Sequence, residues 1–275
     1  MTQTVSLNEA SERLGVHYMT AYRYVRTGRL AAEKRGGQWF VNIDDLADVQ
    51  TGRVTTMSRP EVLPARLEER LLAGDENGAF QILEDAMAGG AGADEVYLDL
   101  LSPALVHIGQ RWHDGEIEIA DEHLATATAI RIVSRLGSRV GAKRGRSRGT
   151  IVLATVANDH HFLPTAMLRD LLRARGFDVE DLGPNTPPDS IARRCAAAND
   201  LVAIGLAATT SGAGEIMAAT ISAIREQLPD TPIVVGGSAF SSAQEISRLG
   251  DCIPSTAGRE ALETFDRLHH ELRSG

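Results

Sequence analysis

The stretch Thr150-Ile151-Val152-Leu153-Ala154-Thr155-Val156-Ala157-Asn158-Asp159-His160-His161 decides the fold of the C-terminal half. Its apolar run suits a strand of a buried parallel sheet, and a second such run is Leu201-Val202-Ala203-Ile204. Strand-like and helix-like segments alternate throughout 149–275, which predicts a doubly wound parallel sheet in an α/β domain. The predicted strands are 150–156, 178–182, 201–206 and 233–235.

Polar and glycine residues follow three of these strands. They are 159–161, 207–212 and the pair Gly236-Gly237. Sheets of this type bind ligands at the carboxyl ends of their strands, so these segments predict a ligand site at one edge of the sheet. The alternative for His161 is a surface or hydrogen-bonded histidine, which is the commoner role of a histidine in such a loop.

Residues 65–142 have an almost purely helical pattern. Breaks at 74–75, 89–92 and 114–115 divide it into four helices, which predicts a four-helix bundle. The third break lies inside Trp112-His113-Asp114-Gly115-Glu116-Ile117-Glu118-Ile119-Ala120-Asp121-Glu122-His123, a pattern of Trp, nine residues, then Glu-His. Trp112 could instead be a core aromatic, and Glu122-His123 a pair on a helix surface.

The pattern of residues 1–56 predicts a winged helix-turn-helix. The pattern of residues 51–64 predicts a linker. A capping box at Ser6–Glu9 opens a helix that ends before Gly15, a second helix spans 17–27, a strand-like wing spans 38–41, and another helix starts at 44–46. Five basic residues and one acidic residue fall within 20–40, although the chain carries a net charge of −9. This local positive charge suits phosphate binding. The residues expected to contact double-stranded DNA are Thr20, Arg23, Tyr24, Arg35 and Gln38.

Composition excludes several classes of protein. No apolar window is long enough to span a membrane, and no signal peptide is evident. The two cysteines form no C-x-x-C motif, which is typical of a reducing cytoplasm. Because the sequence contains no nucleophile–base triad, Walker loop or H-E-x-x-H motif, we do not expect an enzyme.

The N-terminal segment resembles the winged helix-turn-helix of the MerR and excisionase families, and is nearer the excisionase type. The bundle and sheet together resemble the cobalamin-binding module, in which a helical bundle caps a flavodoxin-like domain with a D/E-x-H-x-x-G loop, an S-x-L loop and a G-G turn. The pattern from Trp112 to His123, combined with the DNA-binding segment, is similar to the CarH-type adenosylcobalamin photoreceptors.

This resemblance implies a role for each matching residue. His161 would be the lower cobalt ligand, oriented by Asp159. Trp112, Glu122 and His123 would contact the upper adenosyl group. His113 would take the upper cobalt position after light breaks the cobalt–carbon bond. The other residues expected at the cofactor are Thr209, Thr210, Ser211, Gly236 and Gly237.

The chain departs from the cobalamin-binding pattern at two places. Pro164 replaces the glycine of the histidine loop, and Ala207-Ala208-Thr209 replaces S-x-L. Both positions line the pocket of the cofactor's nucleotide tail in that family. Thr209, Thr210 or Ser211 could supply the missing hydroxyl, while the altered pocket could also weaken tail binding or admit another chromophore.

The resemblance implies a light-responsive, cobalamin-dependent repressor that binds an operator as a homo-oligomer, either a dimer or a tetramer. Two alternatives stay open. One is a corrinoid methyl carrier of a methyltransferase system, which would have no use for a basic helix-turn-helix. The other is a regulator that senses cobalamin or another tetrapyrrole without photochemistry.

Overall fold

The computed structural model describes residues 4–26, 30–35, 38–43, 45–46, 62–141 and 145–274. It does not describe the side chains of Met19, Arg23, Arg26, Lys34, Arg35, Val62 and Ser274. The chain divides into two compact units, residues 1–132 and 133–275. The division falls inside a long helix, so the first unit holds the N-terminal segment and most of the bundle, and the second holds the sheet.

The N-terminal segment contains the two helices of a helix-turn-helix. Ser6 caps the first, its Oγ accepting from the Glu9 N–H at 3.3 Å. Gly15 ends this helix with φ 67°, a left-handed conformation that favours glycine. The second helix begins one residue later than predicted, at Tyr18, and its predicted last residue, Thr27, lies outside the described residues. The elements are β1 (Thr4–Ser6), α1 (Leu7–Leu14), α2 (Tyr18–Arg26), β2 (Ala32–Arg35) and β3 (Gln38–Asn42).

These strands form an antiparallel sheet in the order β1-β3-β2. Of these three strands the sequence predicted only β3, as residues 38–41. Strand β1 was missed because it has only three residues, and β2 (Ala-Glu-Lys-Arg) was missed because it lacks an alternating apolar pattern. Ala21 of α2 is buried in a small core with Leu7 and Val41. Of the helix predicted at 44–46, Asp45 and Leu46 are helical, and Asp44 lies outside the described residues.

The bundle consists of four helical rods, the third of which contains a π-helical turn at Val96–Leu101. The first rod begins at Val62, inside the segment predicted as linker. Pro64 does not prevent this, because the first turn of a helix has no intrahelical partner for its N–H groups. The helices are α3 (Val62–Leu72), α4 (Glu76–Ala88), α5 (Ala93–Glu95), α6 (Ser102–His113) and α7 (Ile119–Val140), with the π turn joining α5 to α6.

The second unit contains a parallel five-stranded sheet in the order β5-β4-β6-β7-β8, flanked by helices. The predicted doubly wound fold class is confirmed, but β8 was missed. It has only three residues and includes Pro254, which an edge strand tolerates. The elements are β4 (Thr150–Thr155), α8 (Leu163–Ala174), β5 (Asp178–Asp181), α9 (Pro188–Ala197), β6 (Leu201–Ala207), α10 (Gly214–Gln227), β7 (Ile233–Gly236), α11 (Ala243–Ser247), β8 (Ile253–Ser255) and α12 (Gly258–Ser274).

Strand register sets the position of the candidate site. Thr155 pairs with Ala207, and Ala207 pairs with Gly236, so β4, β6 and β7 end side by side. The loops that follow these strands therefore meet at one edge of the sheet, as the sequence predicts. Among the described residues, no helix is long and apolar enough to cross a bilayer.

Candidate functional site

Asp159 is the centre of the loops at this edge. Asp159 is only 1% exposed. Its carboxylate accepts hydrogen bonds from three backbone N–H groups, those of Thr209, Thr210 and His161. The Thr209 hydroxyl lies 3.0 Å from both carboxylate oxygens. Burial on its own would raise the pKa of Asp159, but the hydrogen bonds from Thr209, His161 and Thr210 outweigh it and lower the pKa to about 2. Asp159 is therefore ionised at neutral pH.

His161 is oriented by this carboxylate. Its Nδ1 lies 2.7 Å from Asp159 Oδ1, and its side chain is 61% exposed. Because an ionised carboxylate only accepts hydrogen bonds, Nδ1 carries the proton. The Nε2 lone pair is then available at an exposed position. A carboxylate-bound imidazole of this kind is typical of a histidine that binds a metal. His160, the preceding residue, is also exposed.

The three candidates for the missing hydroxyl have different surroundings. Thr209 donates its hydroxyl to Asp159, whereas Thr210 and Ser211 line a cleft of about 470 Å³ that also includes Asn158 and Glu215. A further hydroxyl, on Thr155, was not predicted. Thr155 is buried beside Ala207 in the sheet and donates to the His161 carbonyl at 3.3 Å. Its position at the end of an apolar run gave no signal of this contact.

The glycine pair is required by the packing of the chain itself. A Cβ on Gly237, which has φ 115°, would lie 2.0 Å from the Ala208 carbonyl oxygen, and a Cβ on Gly236 would lie 2.6 Å from that of Ser255. The packing of the chain thus explains the pair without any bound ligand. Pro164 occupies the first turn of α8, where a missing N–H costs no helical hydrogen bond.

The residues singled out in the bundle lie around the turn between α6 and α7. Trp112 and His113 end α6, and both are exposed, Trp112 by 46%. Trp112 is therefore not a core aromatic. Glu122 and His123 stand in the first turn of α7; Glu122 accepts from the Thr126 hydroxyl at 2.7 Å, and the His123 side chain is 71% exposed. This end of the bundle therefore carries an exposed indole and two exposed imidazoles.

The candidate metal ligand at this site is the imidazole of His161. The described part of the chain holds no group of three or more His, Cys, Asp or Glu side chains arranged to bind a bare metal ion. A macrocycle that supplies four nitrogen ligands needs only one or two further ligands on its axis. The oriented, exposed imidazole of His161 can serve as one such ligand.

The residues expected to contact DNA are only partly described. Gln38 is exposed at the start of β3, opposite Arg35 across the hairpin. Thr20 is half-buried, and Tyr24 packs partly against the small core, which limits how much of its ring can reach a groove. The side chains of Arg23 and Arg35 lie outside the described residues.

The depressed pKa of Asp159 predicts a specific dependence of stability on pH. A carboxyl whose pKa falls from 3.8 when unfolded to about 2 when folded stabilises the fold above pH 4, by roughly 2 kcal/mol. This contribution is lost as the pH falls from about 4 to about 2. We expect Asp159→Asn to be less stable than wild type at pH 7, with the difference shrinking at acidic pH.

Denaturant unfolding at pH 7 and near pH 3 measures this difference. The exposed Asp178 provides the matched control, and Asp178→Asn should stay close to wild type at both pH values. A difference between Asp159→Asn and wild type that is the same at both pH values would contradict the assignment.

Comparison with known proteins agrees with this geometry. Residues 149–266 match a family described as a B12 binding domain, residues 63–136 match a second family of the same description, and residues 4–53 match a helix-turn-helix domain. Over 151 residues the chain is 33% identical to the HTH-type transcriptional repressor CarH of Myxococcus xanthus, a match covering 54% of this chain and 48% of the repressor. The chain thus spans about half the length of that relative.

Corrinoid proteins are also similar to this chain. The dimethylamine corrinoid protein of Methanosarcina barkeri is 25% identical over 216 residues, which cover 77% of this chain and 100% of that protein. The monomethylamine corrinoid protein of Methanosarcina barkeri has a similar fold, with a TM-score of 0.62, 16% identity and coverage of 75% of this chain and 98% of that chain. These findings support a cobalamin-binding protein that also carries a helix-turn-helix domain.

Proposed function

We propose that this chain is a light-responsive transcription repressor that uses adenosylcobalamin as its chromophore and binds operator DNA as a homo-oligomer. The observation that carries the proposal is the exposed His161 imidazole, held at 2.7 Å by the buried carboxylate of Asp159. A chain that combines such a ligand with a helix-turn-helix and an exposed Trp112 has the parts of a cofactor-controlled DNA-binding protein.

In this proposal, His161 would hold the cobalt, and Asp159 would fix the orientation and the proton of the His161 imidazole. Thr209 supports Asp159, while Thr210, Ser211, Gly236 and Gly237 surround the cofactor at the edge of the sheet. Bound adenosylcobalamin supplies light absorption and a cobalt–carbon bond that light can break. Trp112, Glu122 and His123 hold the upper group, and His113 is the residue available to replace it.

The helix-turn-helix supplies the DNA contacts, with Thr20, Arg23 and Tyr24 facing the major groove and Arg35 and Gln38 near the backbone. One such segment reaches few phosphates and bases, so it binds weakly alone. Joining several copies makes the later contacts effectively intramolecular and raises affinity. A cofactor that controls assembly therefore controls DNA binding, and the chain needs no catalytic activity of its own.

A corrinoid methyl carrier is the second candidate. It is favoured by the match to the whole dimethylamine corrinoid protein. About a quarter of this chain lies outside that match, and a methyl carrier gives no role to the helix-turn-helix at residues 4–53. We therefore rank the repressor first.

Absorption spectra separate the two candidates. The chain is loaded with adenosylcobalamin in the dark, and spectra are recorded before and after green light, with free adenosylcobalamin as the control. A repressor of this kind is expected to give a stable, protein-specific product that persists in the dark. A spectrum identical to that of the illuminated free cofactor would count against the light-responsive proposal and favour a carrier or a non-photochemical sensor.

A further inference from the structure

Glu68 of α3 is a buried carboxylate that binds two residues of α6. Its side chain is 8% exposed, and its two oxygens lie 2.6 Å from His107 Nδ1 and 2.6 Å from Arg111 Nη1. His107 and Arg111 are four residues apart, so they lie one above the other on the same face of α6. One carboxylate thus fixes both the position and the rotation of α6 relative to α3.

The contact extends into the turn that follows α6. Arg111 Nε donates to Glu116 Oε2 at 3.2 Å, so one guanidinium bridges two carboxylates. We call Glu68, His107, Arg111 and Glu116 the anchor network. It connects α3, α6 and the turn between α6 and α7. Trp112 and His113 are the two residues of α6 that directly follow Arg111.

The electrostatics favour a rigid contact. Burial would raise the pKa of Glu68, but hydrogen bonds and charge interactions with His107 and Arg111 outweigh it and lower the pKa, so the carboxylate is ionised. Hydrogen bonds between ionised partners are short and strong. The planar guanidinium presents its donors in a fixed fork, so binding two carboxylates restricts its rotation.

Trp112 and His113 are exposed, so the anchor network is the contact available to fix the backbone that carries them. Core packing, which fixes buried side chains such as Ile108, does not hold the exposed side of this turn. We propose that Glu68 is a positioning residue that fixes the last turn of α6 and thereby sets the positions of Trp112 and His113. Its effect on the cofactor rests on the proposed function, whereas its effect on Trp112 does not.

The first test therefore uses the full chain without cofactor. Trp39 and Trp112 are its two tryptophans, so in a Trp39→Phe background fluorescence reports on Trp112 alone. Glu68→Gln keeps the size of the side chain and removes its charge. We expect lower fluorescence anisotropy of Trp112 and acrylamide quenching raised by about twofold, since a turn with fewer fixed contacts opens more often.

A matched variant separates positioning from general loss of stability. Glu76→Gln breaks the ion pair between Arg131 Nε and Glu76 Oε2, which are 2.9 Å apart in the same bundle, and should leave Trp112 unchanged. Glu116→Gln, at an exposed site, removes only the link to the turn and should act like Glu68→Gln but less strongly. Equal effects of Glu68→Gln and Glu76→Gln on Trp112, or none from Glu68→Gln, would overturn the proposal.

The second test uses the chain loaded with adenosylcobalamin. With Glu68→Gln we expect cobalamin still to bind, because the proposed cobalt ligand, His161, is not part of the anchor network. The absorption change that depends on His113 should slow by about tenfold, since misplacing a reacting group by about 1 Å is costly. An unchanged rate would overturn the role toward the cofactor. If wild type shows no light-dependent change, the proposed function fails. The role of the anchor network is then decided by the Trp112 fluorescence measurements alone.

Discussion

His161→Ala is expected to weaken cobalamin binding by at least about 100-fold. Substituting a residue that only orients a metal ligand already lowers metal affinity about 10- to 100-fold, and His161 is proposed to be the ligand itself. The fold should survive, since Asp159 keeps hydrogen bonds from the Thr209 and Thr210 N–H groups and the Thr209 hydroxyl. The lower affinity of this variant would then come from the missing cobalt ligand and not from unfolding. Titration followed by absorbance measures the affinity and also the spectral features of a histidine bound to cobalt.

The neighbouring histidine provides the control for this prediction. His160 is exposed in the same loop, and His160→Ala should bind cobalamin as wild type does. Wild-type affinity and spectrum in His161→Ala would remove His161 from the site. Equal losses in both variants would point to a general disturbance of the loop.

His113→Ala is expected to abolish the stable product that forms after illumination, while leaving dark binding of adenosylcobalamin unchanged. His113 is exposed at the end of α6, beside Trp112. In the proposed function it binds cobalt only after light has removed the upper group. Spectra recorded during and after green light should show photolysis without the long-lived histidine-bound form.

A histidine far along the chain serves as the matched control. His270 in α12 is exposed, and His270→Ala should give the wild-type product. If His113→Ala forms that product at the wild-type rate, another residue takes the upper position. His123, which is also exposed near this turn, is then the next residue to substitute.

Periodicity predicted most of the fold, because long apolar patterns report burial directly. The sheet, the four helical rods and the two helices of the helix-turn-helix all follow from such patterns. The missed strands β1 and β8 have only three residues each, and β2 (Ala-Glu-Lys-Arg) contains no run of apolar residues. The start of α3 at Val62 was missed because Pro64 suggested a linker, although proline is compatible with a first turn.

The candidate site was predictable where its residues are close in sequence. Asp159 and His161 are two positions apart, so their contact follows from local geometry. The hydrogen bonds of Thr209 to Asp159 span fifty residues and depend on strand register. No local pattern encodes them.

Glu68 was missed for the same reason. A glutamate in a helix is usually a solvated residue, and only the packing of α3 on α6 buries this one. Its contacts with His107 and Arg111 cross about forty residues of chain. The exposure of Trp112 was equally undetermined, because an aromatic near a helix end can face either the core or solvent.

In the proposed function, light acting on bound adenosylcobalamin changes the assembly of the chain and thereby its DNA binding. Size-exclusion chromatography of the adenosylcobalamin-loaded chain, in the dark and after green light, tests it most directly. We predict a larger species in the dark that binds operator DNA more tightly, and a smaller, weaker-binding species after illumination. Identical elution in the dark and in the light, with adenosylcobalamin bound, would contradict the account.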